Sequence, residues 1–248
     1  MDTNWYDNHQ KRVNLIKAEW ERMLSQHLSE RFYQTFLSKY VGIFWGNENC
    51  HLVISKLKLG SELETDFVSL TDGFSNGNVF ELIEIKQPSA RLFTEKGTMT
   101  ADFNRAVQQI RDWKRWLVDN KAWVKAYLPT INTRVIFDSQ LKFTIVIGRR
   151  TDNPYEIEKR NQIGKEIGAE IRSFDYLTDK VTKRIFYPRA WTEDDFPDFE
   201  SQLANPFHKA ITDARWKKFC KSTQVACSHF YSRHYCEVIK KRPTFDFE

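Results

Sequence analysis

Residues Glu62 to Pro88 read ELETDFVSLTDGFSNGNVFELIEIKQP. Two runs rich in apolar residues, Leu63 to Leu70 and Val79 to Lys86, flank a cluster of turn formers: Asp72, Gly73, Asn76 and Gly77. Such a cluster between strand-like runs marks a hairpin. Pro88 has no N–H to give a ladder and limits the second strand. Folding the hairpin symmetrically about Ser75 sets Asp66 opposite Glu84. Opposed residues share a face, with Cβ atoms about 4.5–5.5 Å apart. Lys86 follows Glu84 by two and projects from that same face. A slip of one residue in the pairing would disperse the three.

Leu82, Ile83 and Ile85 on one run, and Phe67, Val68 and Leu70 on the other, put apolar side chains on both faces. A strand of that kind is usually interior to a sheet. Charges held there need compensation. Asp66, Glu84 and Lys86 sum to one negative charge, which a divalent cation would balance. Oxygen-only ligands suit Mg²⁺ or Mn²⁺ rather than zinc. A metal held by two carboxylates can activate water and neutralise charge on a phosphodiester. The neighbouring amine can orient the water or stabilise developing negative charge. The competing reading of the same spacing is a cross-strand ion pair on a solvated face.

Outward from the hairpin the chain alternates helix and strand. Val13, Ile16, Trp20, Met23, Leu24 and Leu28 recur at helical spacing and predict an N-terminal helix. A second runs from about Ser29 to Tyr40, with Phe32, Phe36 and Leu37 facing a core. His51 to Leu57 reads as a strand. Ala101 to Asp119 predicts a helix with Phe103, Ala106, Ile110, Trp113 and Leu117 on one stripe. Strands at Thr133 to Phe137 and Leu141 to Ile147, a helix from Tyr155 to about Ile167, and a strand at Glu170 to Phe174 complete a mixed α/β layout. Trp113, Trp116 and Trp123 share a helical spacing and read as core or oligomer contacts before base-stacking groups.

The 248 residues are 41% hydrophobic and 15% aromatic, which suits one cored domain with additions and excludes a disordered chain. No apolar run approaches the roughly 18 residues of a membrane span. Met1 to Gln10 is polar and lacks the apolar run of a signal peptide, so the sequence predicts a cytoplasmic protein with no membrane partner. The net charge of +5 is mild, but its distribution is uneven. Nine Lys and Arg lie between Asn205 and Arg242, against only Asp213 and Glu237. Upstream, Glu193, Asp194, Asp195, Asp198 and Glu200 form an acidic stretch, and Asp194 to Pro206 is the best boundary before this basic extension. The extension reads either as a solvated face or as a nucleic-acid surface, with Lys217, Lys218 and Lys221 its densest group. Cys220, Cys227, Cys236, His229 and His234 share this tail, but their spacing has no CxxC pair, and buried thiols are the plainer reading.

The order of features resembles the PD-(D/E)xK nuclease core: a helix bearing Glu, strands bearing Asp and then Glu-x-Lys, and a helix bearing Gln. Within that superfamily the wording is similar to the Shedu antiphage nucleases. The segments that carry the likeness are Glu30-Arg-Phe-Tyr-Gln-Thr-Phe-Leu37 with Ile43-Phe-Trp-Gly46, Asp66-Phe-Val68, and Glu84-Ile-Lys-Gln-Pro88. Ala106-Val-Gln-Gln-Ile110 with Trp113, Ile145-Val-Ile-Gly-Arg149, and the stretch Arg172 to Leu177 as later strands extend it. It runs from about Glu30 to Leu177. Gln87 departs from the pattern, since many relatives carry Arg after the lysine. Only about 29 residues stand ahead of the likeness, where relatives carry a long regulatory region.

The resemblance implies a restriction-endonuclease-like core at residues 30–180, a central mixed sheet flanked by helices. A helical lead at 1–29 precedes it, and a basic extension at 181–248 follows. It implies Asp66 and Glu84 as ligands of Mg²⁺ (or Mn²⁺), and Lys86 as the residue that positions water. Glu30 would be a further acid, with Glu62 and Glu64 as nearby substitutes. Gln109, beside Gln108, would orient the site from the later helix. Arg149 and Arg150 end a strand, where they would touch phosphate or simply face solvent. Double-stranded DNA is the expected substrate, hydrolysis the expected reaction, and a homo-oligomer, with a tetramer among the options, the expected assembly. The alternatives are a catalytically silent DNA-binding or assembly module of the same fold, and a nuclease acting on RNA.

Overall fold

A computed structural model describes residues 4–45, 50–72, 78–122 and 140–186. The chain opens with three helices, α1 (Asn4–Leu24), α2 (Glu30–Lys39) and α3 (Val41–Phe44). Five strands follow: β1 (Cys50–Ser55), β2 (Lys58–Leu59), β3 (Leu63–Glu64), β4 (Phe67–Asp72) and β5 (Asn78–Ile85). Then come α4 (Ala101–Asp119), β6 (Leu141–Val146), α5 (Pro154–Ile167), β7 (Glu170–Arg172) and α6 (Phe174–Phe186). The main sheet is mixed, in the order β1-β4-β5-β6-β7. β1, β4 and β5 pair antiparallel, and β5, β6 and β7 pair parallel.

β5 is the central strand, and its alternation sorts the two cores. Phe80 and Leu82, with Val68, Leu70, Phe143 and Ile145, pack against Phe103, Ala106, Ile110 and Trp113 of α4. Ile83 and Ile85, with Phe67 and Val146, join a core built from α1, α2, α3 and α6. Both faces of the sheet are therefore covered by helices, as the doubly apolar β5 run requires. In the second core the Trp20 ring lies 5.7 Å from Phe36, 5.8 Å from Phe174 and 5.0 Å from Phe44, centre to centre. Its indole N–H donates to Thr178 Oγ1 at 3.0 Å, so the buried polar atom is satisfied. The N-terminal helix thus shares one hydrophobic core with the sheet.

Local chemistry sets the helix ends. Thr100 caps α4 by accepting from the Phe103 N–H, and Asn153 caps α5 by accepting from the Tyr155 N–H. Pro154 opens α5, and Gly168 ends it at φ 59°, the left-handed position that a glycine fills without strain.

Four expectations change. The run Leu63 to Leu70 is broken into β3 and β4 at Thr65 and Asp66, opposite a left-handed Lys56 at φ 56°. Phe32 is exposed, and Tyr33 takes its place in the core. The Tyr33 hydroxyl donates to the carbonyls of Met23 and Gln26, at the end of α1 and just beyond it. The last strand ends at Arg172, and Phe174 to Leu177 opens α6 instead of continuing it. Phe174, Leu177 and Val181 recur at helical spacing and are fully buried. Finally, α6 itself had no counterpart in the sequence reading. The proposed strand at Thr133 to Phe137, the turn about Ser75, Trp123, the tail cysteines and the basic extension beyond residue 186 lie outside the described residues. No helix among the described residues is long and apolar enough to cross a membrane.

Candidate active site

The β4–β5 register pairs Phe67 with Ile83 and Leu70 with Phe80. Continued by one residue, it sets Asp66 across from Glu84, as the fold about Ser75 requires. Asp66 Oδ2 accepts the Ile85 main-chain N–H at 2.7 Å, which ties the end of one strand to the next. Both carboxylates are buried: Asp66 is 5% exposed and Glu84 1%.

Asp66 is densely bonded. Its Oδ1 accepts from Gln34 Nε2 at 2.7 Å and from Lys56 Nζ at 2.6 Å. Gln34 sits one turn after Glu30 on α2 and also donates to Glu30 Oε1 at 3.1 Å. The α2 helix therefore delivers Glu30 and Gln34 together to the carboxylate of Asp66. Lys56 stands at the end of β1, where Ser55 pairs with Phe67 and the next position faces Asp66. Its left-handed backbone costs roughly 1–2 kcal/mol for a residue with a Cβ. Two main-chain bonds hold that kink, Lys56 N–H to Asp66 O at 3.0 Å and Thr65 N–H to Leu57 O at 2.9 Å.

Glu84 is less satisfied. Lys86 pairs with its Oε1, while its buried Oε2 has no hydrogen-bond partner among the described residues. Burial, then the neighbouring Asp66 charge, pushes the Glu84 carboxyl up to about 8 against the partial relief from Lys86. Burial also raises Glu30, opposed by the Lys86 charge and reinforced by Asp66. Burial works against the Lys86 ammonium, but Glu84 outweighs it and the net shift is upward, so Lys86 is a protonated donor. Lys56 follows the same pattern, with Asp66 outweighing burial.

The donor set fits a hard divalent cation. Two buried carboxylates adjoin, one keeps an orphaned oxygen, and a third acid adds to their repulsion. Among the described residues no three His, Cys, Asp or Glu side chains gather into a metal-ligand group. Glu30 bonds Gln34 and lies within electrostatic reach of Lys86, Asp66 and Glu84, and the candidate ligands are the adjoining pair Asp66 and Glu84. An ion such as Mg²⁺ commonly takes one or two carboxylates and fills its other positions with water and phosphate oxygen.

The other expected residues fall elsewhere. Gln109 donates to the Glu64 carbonyl at 3.4 Å, touching the main chain that leads into Asp66 and not the carboxylates. Gln108 instead bonds Asp112. Arg149 donates to both oxygens of Asp175 and to the Leu24 carbonyl at 3.2 Å. Arg150 pairs with Asp179. Both arginines thus clamp α6, and Arg149 also ties in the end of α1. Lys217, Lys218 and Lys221 lie outside the described residues.

Gln34 and Lys56 were missed by the sequence reading, although each had a signal. Gln34 is four residues from Glu30 on a helix and so shares its face. The β2–β3 pairing joins Lys58 to Glu64 and Leu59 to Leu63. A fold about Ser61 would have set Lys56 opposite Asp66, by the reasoning already applied about Ser75.

A family model described as Shedu protein SduA, C-terminal, matches residues 27–178, more than half of the chain. No curated protein matches it.

Proposed function

The chain belongs to the Shedu family, and we propose that it is a metal-dependent DNA endonuclease of the PD-(D/E)xK type, acting in antiphage defence. The observation that carries the chemistry is the buried Asp66–Glu84 pair, with Lys86 on one oxygen of Glu84 and, among the described residues, no hydrogen-bond partner on the other. Family membership supports the defensive role.

Asp66 and Glu84 would hold Mg²⁺ or Mn²⁺. A cation there supplies Lewis-acid charge neutralisation and makes water a better nucleophile at neutral pH. Gln34 and the Ile85 N–H fix the Asp66 carboxylate from two sides. Lys86, protonated and half-buried beside Glu84, donates to the attacking water or to oxygen charge developing on the scissile phosphate. It acts as a donor and not as a ligand, because an ammonium has no lone pair. Glu30 orients Gln34 and adds negative charge that favours a cation in the cluster. Double-stranded DNA is the proposed substrate, cut by hydrolysis of a phosphodiester bond, in a cytoplasmic homo-oligomer.

The test is incubation of the purified chain with plasmid and linear duplex DNA, and in parallel with RNA, with Mg²⁺, with Mn²⁺ and with EDTA. DNA cleavage that EDTA abolishes and Asp66→Asn removes is the expected result. Undiminished cutting in EDTA would sink the metal mechanism, and cutting of RNA alone would reassign the substrate.

A further inference from the structure

Each carboxylate of the candidate site has its own lysine, but the two lysines differ in what they block. Lys86 takes one oxygen of Glu84 and leaves the other open. Lys56, together with Gln34, fills Oδ1 of Asp66, and the Ile85 N–H takes Oδ2. An entering cation therefore meets the Lys56 charge, and beside it Asp66 with Oδ1 filled and one acceptor position left on Oδ2. Of its three donors, the Ile85 N–H is fixed in the sheet and Gln34 is neutral and also bonded to Glu30. Lys56 is the charged one, and its side chain is 32% exposed. A second carboxylate stands ready for it: Glu64 Oε1, 3.7 Å from the same ammonium, on a side chain 42% exposed. The left-handed backbone of Lys56 points the same way, because strain at a non-glycine residue persists where the surroundings impose it and clusters at functional sites.

We infer that Lys56 is a further active-site residue: a tethered counter-cation that neutralises Asp66 until a divalent ion arrives and then passes to Glu64. This rests on the cation reading proposed above. It has a thermodynamic consequence. A bound state that must first release an internal competitor has its apparent affinity lowered by the population that competitor holds.

The experiment is calorimetric titration of the full chain with Ca²⁺, without DNA. The proteins are wild type, Lys56→Met, Lys56→Gly, Glu64→Gln and the Lys56→Met/Glu64→Gln double variant. Lys56→Gly suits the positive φ and guards against a folding defect in Lys56→Met. Both Lys56 variants are expected to bind Ca²⁺ about tenfold tighter, the scale of one displaced charge-assisted hydrogen bond. Glu64→Gln is expected to weaken binding about threefold in the wild-type background and not at all in Lys56→Met, because its effect runs through the lysine. Equal or weaker binding by both Lys56 variants overturns the inference. So does an equal effect of Glu64→Gln in both backgrounds, which is what simple charge repulsion produces. If the folded wild type and every variant bind no divalent ion, the cation reading itself falls and takes this one with it. If the wild type binds and the Lys56 variants match it, only the role of Lys56 falls.

Discussion

The ammonium of Lys86 rests on Oε1 of Glu84, two residues behind it on the same run of chain, while Oε2 of that buried carboxylate has no hydrogen-bond partner among the described residues. The pair is therefore only half compensated, which has a consequence for stability against pH. The folded state holds the Glu84 proton up to about pH 8, against an ordinary value of 4.5. A group raised on folding contributes its stabilisation below the unfolded value and loses it as pH rises through the folded one. The metal-free protein should accordingly lose stability between pH 4.5 and about 8 on account of Glu84. Glu84→Gln should escape that loss and be more stable than wild type at pH 8, by about 1–3 kcal/mol, with no gain near pH 4.5. Thermal melts in EDTA at both pH values check it. Parallel curves for the two proteins would show that Glu84 does not titrate in this window.

Lys86 and Asp66 should separate on mutation. Lys86→Ala removes a proton donor but no ligand, so turnover should fall by at least about 10²-fold, the low end for a positioned acid or base. Divalent binding should remain largely intact. Asp66→Ala removes a ligand and should weaken binding itself. Calorimetry and cleavage rates on both variants decide the roles. Loss of the metal in Lys86→Ala, with retention in Asp66→Ala, would reverse them.

Gln34 offers a test of the support behind the carboxylates. It joins Glu30 to Asp66 through one amide. Partners that orient a ligand typically cost 10–100-fold in affinity or activity when lost. Gln34→Ala should therefore lower cleavage by about 10–100-fold, and Gln34→Glu by more, since a third charge would then press on Asp66. Single-turnover rates across a Mg²⁺ series would show the loss. Wild-type rates in Gln34→Ala would make the amide a bystander.

The sequence was most informative where a local rule had one outcome. The hairpin pairing follows from where the turn formers sit, so Asp66 against Glu84 is legible in the residues alone. The stripe of Phe103, Ala106, Ile110, Trp113 and Leu117 likewise admits one buried face, and all five are buried. Reading failed where the deciding contact lay far along the chain. Arg149 and Arg150 look free at a strand end, and only the packing of α6 brings Asp175 and Asp179 to them, 26 and 29 residues later. Phe32 and Tyr33 fit a helical stripe about equally well. The choice went to the side chain whose hydroxyl could satisfy carbonyls near the end of α1. The kink at Lys56 breaks a strand that propensity alone would continue, and nothing in its residue type announces a left-handed backbone.

That pairing bears on how DNA would be held. Each Lys or Arg that neutralises a phosphate on duplex DNA contributes about −0.9 to the slope of log affinity against log salt. Arg149 already has a carboxylate partner on α6, so Arg149→Ala should leave the slope close to unchanged. It should instead lower stability by about 1–3 kcal/mol, because Asp175 loses its charged partner, keeping the Arg150 main-chain N–H, and the Leu24 carbonyl loses its donor. The basic extension has the opposite expectation. Neutralising Lys217, Lys218 and Lys221 together should flatten the slope by up to roughly two to three units if all three touch phosphate, with cleavage restored at high DNA concentration. Binding titrations across a salt series, run beside melts and a sizing column, separate the possibilities. If the lysine variant keeps its slope and changes mass, the segment is an oligomer contact. If Arg149→Ala flattens the slope without loss of stability, the clamp on α6 is secondary and the arginine reaches DNA after all.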